Sequence, residues 1–233
     1  MTLGAEPPQG QVLLRMSDAE MLRAAELLER AGKAYFGPRG AVMRICYNKL
    51  RATRLAEAAG IGCPRTLPGA AADQAAFPLI VKPQRGSDSI GVRLFAKGPL
   101  PARYRTGEYL VQEFVRGREI TIALIGGRIG RPLEFALPAG TTYSFARKYL
   151  HRPRREPLPD AALEAGVRET ALRLARLFDV NWATRLDFIC EPGGRLCFLE
   201  CDAAPMIAAD SSFAESLRAA GIERTEQLRL LTT

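Results

Sequence analysis

The segment from Arg185 to Asp202, R-L-D-F-I-C-E-P-G-G-R-L-C-F-L-E-C-D, constrains the fold more than any other stretch of this chain. Two apolar runs flank Pro192-Gly193-Gly194, which has the composition of a tight turn, and the pattern predicts a β-hairpin. With Gly193-Gly194 as a two-residue loop, Asp187 falls opposite Glu200 and Arg185 opposite Asp202. Side chains alternate across a strand. Arg185, Asp187, Glu200 and Asp202 then share one face. Leu186, Phe188, Cys190, Cys197, Leu199 and Cys201 share the other, the expected core face. Two acids set opposite one another repel. A sheet keeps such a pair where something positive sits there, or where one acid stays protonated. A hard divalent cation with oxygen ligands, most simply Mg²⁺, meets that need. The competing reading is a solvated face with incidental acids.

The 233 residues suffice for one two-part domain or two small ones. No run of about 18 apolar residues predicts a membrane span. The opening M-T-L-G-A-E-P-P-Q-G lacks the basic and apolar regions of a secretory signal. The five cysteines contain no C-x-x-C spacing and read as buried, reduced thiols, which places the chain in the cytoplasm. The single histidine, His151, excludes His-rich metal sites and argues against Ser–His catalysis. Net charge is +8, but the basicity is arginine spread along the chain. The one dense cluster, H-R-P-R-R-E at 151–156, has no aromatic interleaving, so nucleic acid is not an expected partner. Lysine is scarce: Lys33, Lys49, Lys82, Lys97 and Lys148. A chain that prefers Arg yet keeps a Lys has reason to want a compact point charge, as on a phosphate.

Elsewhere, residues 11–16 read as a short strand. Ser17 opens a capping-box pattern with Glu20, and the helix it starts should stop at Gly32. A second helix is expected from Asn48 to Ala59. Strands are expected at 79–82, in V-R-L-F after the glycine- and serine-rich loop 84–91, at 109–115 and at 119–125. Residues 139–159 read as a long polar loop. Asp160 should cap an amphipathic helix, and a last helix should run from Ser211 to Ala220. Hairpin-joined strands beside separate helices predict an α+β fold rather than a doubly wound sheet.

The order of motifs then becomes specific. F-P-L-I-V-K-P, G-S-D-S-I-G-V, L-V-Q-E-F-V-R-G-R-E-I-T-I-A, A-R-K-Y-L, R-L-D-F and F-L-E-C-D-A-A-P together resemble the ATP-grasp superfamily. The branch they look like is that of the D-alanine–D-alanine ligases. The resemblance runs from about Gly32 to Gly221. It implies two α+β lobes clamping ATP: 35–110 as the N-terminal lobe and 111–233 as the C-terminal lobe with the metal site. Residues 1–34 would be a strand and helix left from an N-terminal domain.

The resemblance also implies roles. Lys49 and Lys82 would contact nucleotide phosphates. Ser87 to Gly91, with Ser89 among the catalytic residues, would close over them. Gln112, Glu113, Phe114 and Val115 would form the hinge that reads adenine through backbone groups, and Glu119 would bind the ribose. Lys148 would reach the terminal phosphate. Asp187, Glu200 and Asp202 would hold Mg²⁺, with Mn²⁺ as a substitute. Arg185 would stabilise charge on the transferred group or tetrahedral intermediate. Met206 and Ser211 fall where this branch binds its acceptor substrate.

There are departures. The branch commonly has Asn where Asp202 stands, an acid where Gln112 stands, and Gly where Met206 stands. The expected function is an ATP-dependent ligase joining a small-molecule carboxylate to an amine through an acylphosphate. The alternatives are a non-catalytic nucleotide-binding accessory subunit and a ligase for a protein- or carrier-bound acid. A homodimer is the other assembly considered.

Overall fold

The structure is a computed structural model that describes residues 12–67, 77–86, 90–136 and 154–233. Local sequence sets the first helix. Glu20 accepts from both the N–H and the hydroxyl of Ser17, and α1 runs Asp18–Arg30. Such a cap contributes about 1 kcal/mol. Gly32, at φ +61°, ends it. The strand expected at 11–16 is only a bridge, Leu13 beside Phe36 in parallel. Two helices follow, α2 (Gly40–Cys46) and α3 (Lys49–Ala58), the second capped by the Asn48 side chain.

The strands form two antiparallel sheets. The smaller holds β1 (Thr66–Leu67), β2 (Leu79–Pro83), β3 (Arg93–Phe95) and β4 (Tyr109–Glu113) in the order β1-β4-β2-β3. The larger holds β5 (Arg118–Ile125), β6 (Arg128–Ile129), β7 (Leu133–Phe135), β8 (Arg155–Pro157), β9 (Thr184–Cys190) and β10 (Leu196–Asp202). Its order is β10-β9-β5-β7-β8, with β6 paired to β5. Three helices complete the chain: α4 (Ala161–Leu177), capped by Asp160, α5 (Ser212–Ala219) and α6 (Arg224–Leu230). Of the long polar segment expected at 139–159, only 154–159 is described, and β8 lies there.

Alternation decides what each sheet face meets. Ile120, Ile122, Leu186 and Phe188 point to one side of the larger sheet. There they pack with Phe198 and Cys201 against α1 to α4, through Met21, Leu28, Met43, Ala56, Leu174 and Phe178. Truncating Phe188 to Ala should cost about 3–5 kcal/mol, because a fully buried ring leaves a cavity. At the far end, α5 and α6 cover Ala123, Ile125 and Trp182 with Phe213, Leu217 and Leu231. The smaller sheet buries Leu79, Val81 and Val111 against Leu100 and Tyr104. Its opposite face, with Ile80, Lys82 and Gln112, turns toward the larger sheet.

The hairpin differs from its expected form near the tip. Glu191 and Arg195 close the ladder by a backbone hydrogen bond, so the loop is Pro192-Gly193-Gly194. Gly194 takes φ +85°, the left-handed conformation that three-residue loops require. Pairing runs Leu196 to Cys190 and Phe198 to Phe188, then slips before Glu200. A β-bulge at Leu199 accounts for the slip. Beyond it, Glu200 faces Asp187 and Asp202 faces Arg185, as alternation from the acids predicts. The expected core face is corrected. Cys197 and Leu199 leave the helical core and pack with Val115 and Ile189 on the other side, while Phe198 takes the core position.

Candidate active site

Between the facing sheets lies a cleft of about 750 Å³. The smaller sheet gives it Ile80, Lys82 and Gln112, and the connection after β2 adds Gly86, Ile90 and Gly91. The larger sheet gives Glu119, Asp187, Ile189, Leu199 and Glu200, and α3 contributes Lys49. Glu113, Phe114 and Val115 line the end where the two sheets join. Residues far apart in sequence therefore meet because one face of each sheet carries them.

The hairpin wall is dense with charge. Arg185 Nε and Nη2 donate to the Asp187 carboxylate at 3.0 Å each. Its Nη1 lies 3.3 Å from Asp202, and Nη2 lies 3.8 Å from Glu200. Lys49 Nζ lies 3.4 Å from Glu200 and also donates to the Gly86 carbonyl. Thr121 on β5 donates to Asp187 Oδ1 at 2.7 Å. The repulsion inherent in the Asp187–Glu200 pairing is thus answered by the protein's own cations. Burial alone would lower the Arg185 pKa; Asp187, Asp202 and Glu200 outweigh it and hold the group above its ordinary value. Burial raises Asp202 against the pull of Arg185.

The facing wall is different. Lys82 is 9% exposed. Among the described residues its amino group has no hydrogen-bond or ion-pair partner. Burial lowers its pKa to about 8, with Glu200 raising it and Lys49 lowering it further. Beside it, Gln112 Nε2 donates to the Pro64 carbonyl at 3.4 Å and to Thr66 Oγ1 at 3.2 Å. The Pro64 carbonyl can only accept, so it fixes the amide orientation. Gln112 Oε1 is left buried with no partner among the described residues. A buried acceptor without a donor is costly, and a ligand donor would relieve it.

Other candidate residues fall into place more plainly. The N–H groups of Glu113 and Phe114 bond to the Arg65 and Pro78 carbonyls. The Glu113 side chain accepts from Arg65 N–H and Arg195. Past the end of β4, the Phe114 and Val115 carbonyls and the Val115 N–H make no hydrogen bond among the described residues. Gly91 has φ +77°, and a Cβ there would sit 2.9 Å from Pro83, so only glycine fits the close approach. Met206 is 48% exposed. Ser211 caps α5, accepting from the Ala214 N–H. Ser87, Ser89 and Lys148 lie outside the described residues.

Two neighbours of the site were not anticipated from sequence. Thr121 follows Glu119 by two residues, so the alternation of β5 could have placed it. Arg15 donates through Nη2 to the Pro205 carbonyl at 3.0 Å, a contact no local pattern announces.

Residues 63–232 match the family model described as the D-ala D-ala ligase C-terminus. The chain belongs to that family. With membership come the ATP-grasp fold and ATP-dependent, ADP-forming synthesis of an amide bond. A D-alanine–D-alanine ligase of Oleidesulfovibrio alaskensis is 30% identical over 212 residues, covering 84% of this chain and 68% of the relative. Two solved structures share the fold. The VanG D-Ala:D-Ser ligase of Enterococcus faecalis superposes with a TM-score of 0.79 at 21% identity, covering 95% of this chain and 71% of that one. A Bacillus anthracis D-alanine–D-alanine ligase, solved in complex with ATP, gives 0.76 at 20% identity, covering 95% and 78%. No helix of this ligase's described residues is long and apolar enough to cross a membrane.

Proposed function

We propose that this ligase binds MgATP in the intersheet cleft and uses it to join a small-molecule carboxylate to an amine. Hydroxide is a poor leaving group, so an amine does not displace it from a carboxylate directly. Phosphoryl transfer to the carboxylate gives an acylphosphate that the amine can attack, releasing phosphate. The protein's task in such chemistry is positioning and charge stabilisation. The single observation that carries this reading is the pairing of walls: an uncompensated buried lysine faces a carboxylate cluster across one cleft.

The roles follow from that geometry. Lys82 and Lys49 bind the phosphates, and the glycines from Gly86 to Gly91 let the chain approach them closely. Gln112 Oε1 accepts from the exocyclic amine of adenine, and the hinge carbonyls and Val115 N–H complete the base site. Glu119, on the larger sheet's wall with Asp187, would bind the ribose hydroxyls. The donor set suits Mg²⁺, because Asp187 and Glu200 offer hard oxygens at the cleft. Asp202 joins them through Arg185, and its charge beyond the usual Asn is offset there. The metal supplies charge neutralisation for the transferred phosphoryl group. Arg185, held on both acids, presents a fixed cation for charge that develops during transfer.

MgATP should raise stability by about 2.7 kcal/mol at a hundredfold excess over its dissociation constant. Glu200→Gln should keep the fold, being nearly isosteric, and lose most Mg²⁺-dependent ADP release. Absence of any thermal shift with MgATP or MgADP would refute the nucleotide site.

A further inference from the structure

The cleft continues past Lys49, Gly86 and Glu200 into a second, narrow crevice that shares these residues. Its farther wall is Arg185, Asp202, Asp18 and Tyr47. Arg15 stands beside this wall. Its Nη2 holds the Pro205 carbonyl, 190 residues away in sequence, and Asp202 and Asp18 are the charges that act on it. Arg185 is the arginine that engages Asp187, Glu200 and Asp202. Among the described residues Arg15 has no carboxylate within ion-pair distance. A guanidinium carries several donors in a fixed fork, so one bond to a carbonyl leaves most of them for a ligand. Met206, directly after Pro205, is 48% exposed.

We propose that Arg15 is a specificity-determining residue of this ligase, binding the unreacting carboxylate of an amino acid that serves as the amine acceptor, at the rim next to Met206. The inference rests on the ligase reading above. A ligase must bring acid and amine to the terminal phosphate, and the Lys49–Glu200 end of the cleft leads to this rim. Asp18, on the crevice wall, suits the amine end of an amino acid. Arg15 suits its carboxylate, through the bidentate pairing that guanidinium and carboxylate geometry favours. Burial lowers the Arg15 pKa, and Asp202 and Asp18 offset this only in part. A substrate carboxylate would complete that balance.

The competing role is purely structural: Arg15 pins the loop at Pro205 and touches no substrate. The two separate in kinetics. With D-alanine held at a fixed concentration as the carboxylate to be activated, ligation by the full chain with MgATP is followed product by product as the acceptor is varied among L-alanine, D-alanyl-D-alanine and the C-terminal amide of each. Wild type should favour the carboxylate forms. Arg15→Gln should raise their KM roughly ten- to a hundredfold, the worth of a charged hydrogen bond. It should leave the KM for the amides and for ATP within about twofold. Arg15→Lys should recover part of the loss. A structural role predicts instead a fall in kcat and Tm that ignores the carboxylate, and that result would overturn the proposal. So would a wild type that shows a MgATP thermal shift but no ligation product with any of these acceptors; the nucleotide site would survive that outcome. Lack of the MgATP shift itself would strike the ligase reading instead.

Discussion

On the hairpin wall, Arg185 engages three carboxylates at once; on the facing wall, Lys82 is buried with no partner among the described residues. Both walls are polar and both are largely shielded from water, yet their energetics are opposite. The first is a network in which each charge is held by another, and Lys49 and Thr121 extend it. Breaking such a network is destabilising because it strands charges out of water. The second holds a desolvated cation whose cost is visible in its lowered pKa. One wall contributes to the fold. The other costs stability in the free protein and is justified only by an anion that arrives later.

That contrast makes opposite predictions for the two cations. Arg185→Met should destabilise the protein by about 3–5 kcal/mol, because Asp187 and Asp202 lose their counter-charge. Chemical denaturation would show it as a lower midpoint at unchanged slope. Lys82→Met removes an unpaired charge from a buried position, so the free protein should be as stable as wild type or more so. Its cost should fall on catalysis, roughly a hundred- to a thousandfold in turnover, with the MgATP thermal shift reduced. If Lys82→Met unfolds the protein and Arg185→Met does not, the assignment of the two walls is inverted.

The walls were also unequally legible in sequence. The acid face of the hairpin could be read because Arg185, Asp187, Glu200 and Asp202 alternate with apolar residues. The bulge at Leu199 could not, because no residue type there demands one, and so Cys197 and Leu199 were expected in the wrong layer. Helices with side-chain caps at Asn48, Asp160 and Ser211 were visible. Helices α2 and α6 were not: their N-cap residues, Arg39 and Glu223, make no side-chain cap bond. The strand expected at 11–16 had apolar content but finds only one bridging partner. In the site, chemical type marked Lys82, Asp187 and Glu200. The isolation of Lys82 and the grip of Arg185 exist only after folding, because both depend on which faces meet.

The pH dependence should divide the walls as well. Lys82 has a folded pKa of about 8, depressed from 10.5. Between these values the unfolded chain binds more protons than the folded one, so this group makes stability rise with pH across that window. Below about 8 its penalty is present in full. Nucleotide affinity should run the other way. As pH climbs past 8, Lys82 loses the charge that meets the phosphates, and MgATP affinity should fall by up to about tenfold per unit. Titration calorimetry at pH 7, 8 and 9 would show this trend in wild type and a flat profile in Lys82→Met. A wild-type affinity independent of pH across that range would remove Lys82 from the phosphate site.

The smallest effect belongs to Gln112, the other group on the facing wall that lacks a partner. Its amide nitrogen is fixed by the Pro64 carbonyl and Thr66, which leaves Oε1 buried and unsatisfied. Gln112→Leu removes the orphan acceptor but also the donor that the Pro64 carbonyl and Thr66 use, so relief at one oxygen is set against a stranded carbonyl and the free protein should lose about 1 kcal/mol. It should weaken MgATP by about 1 kcal/mol, near fivefold, the net worth of one neutral hydrogen bond. The sharper readout is a comparison of nucleotides. Adenine presents an amine to an acceptor, whereas hypoxanthine presents a carbonyl at the same place, and two acceptors repel. Wild type should prefer ATP to inosine triphosphate, and the leucine variant should lose most of that preference while both nucleotides still bind through Lys82. An unchanged preference in the variant would mean that the hinge backbone alone reads the base. The facing wall would then hold one group that waits for the nucleotide rather than two.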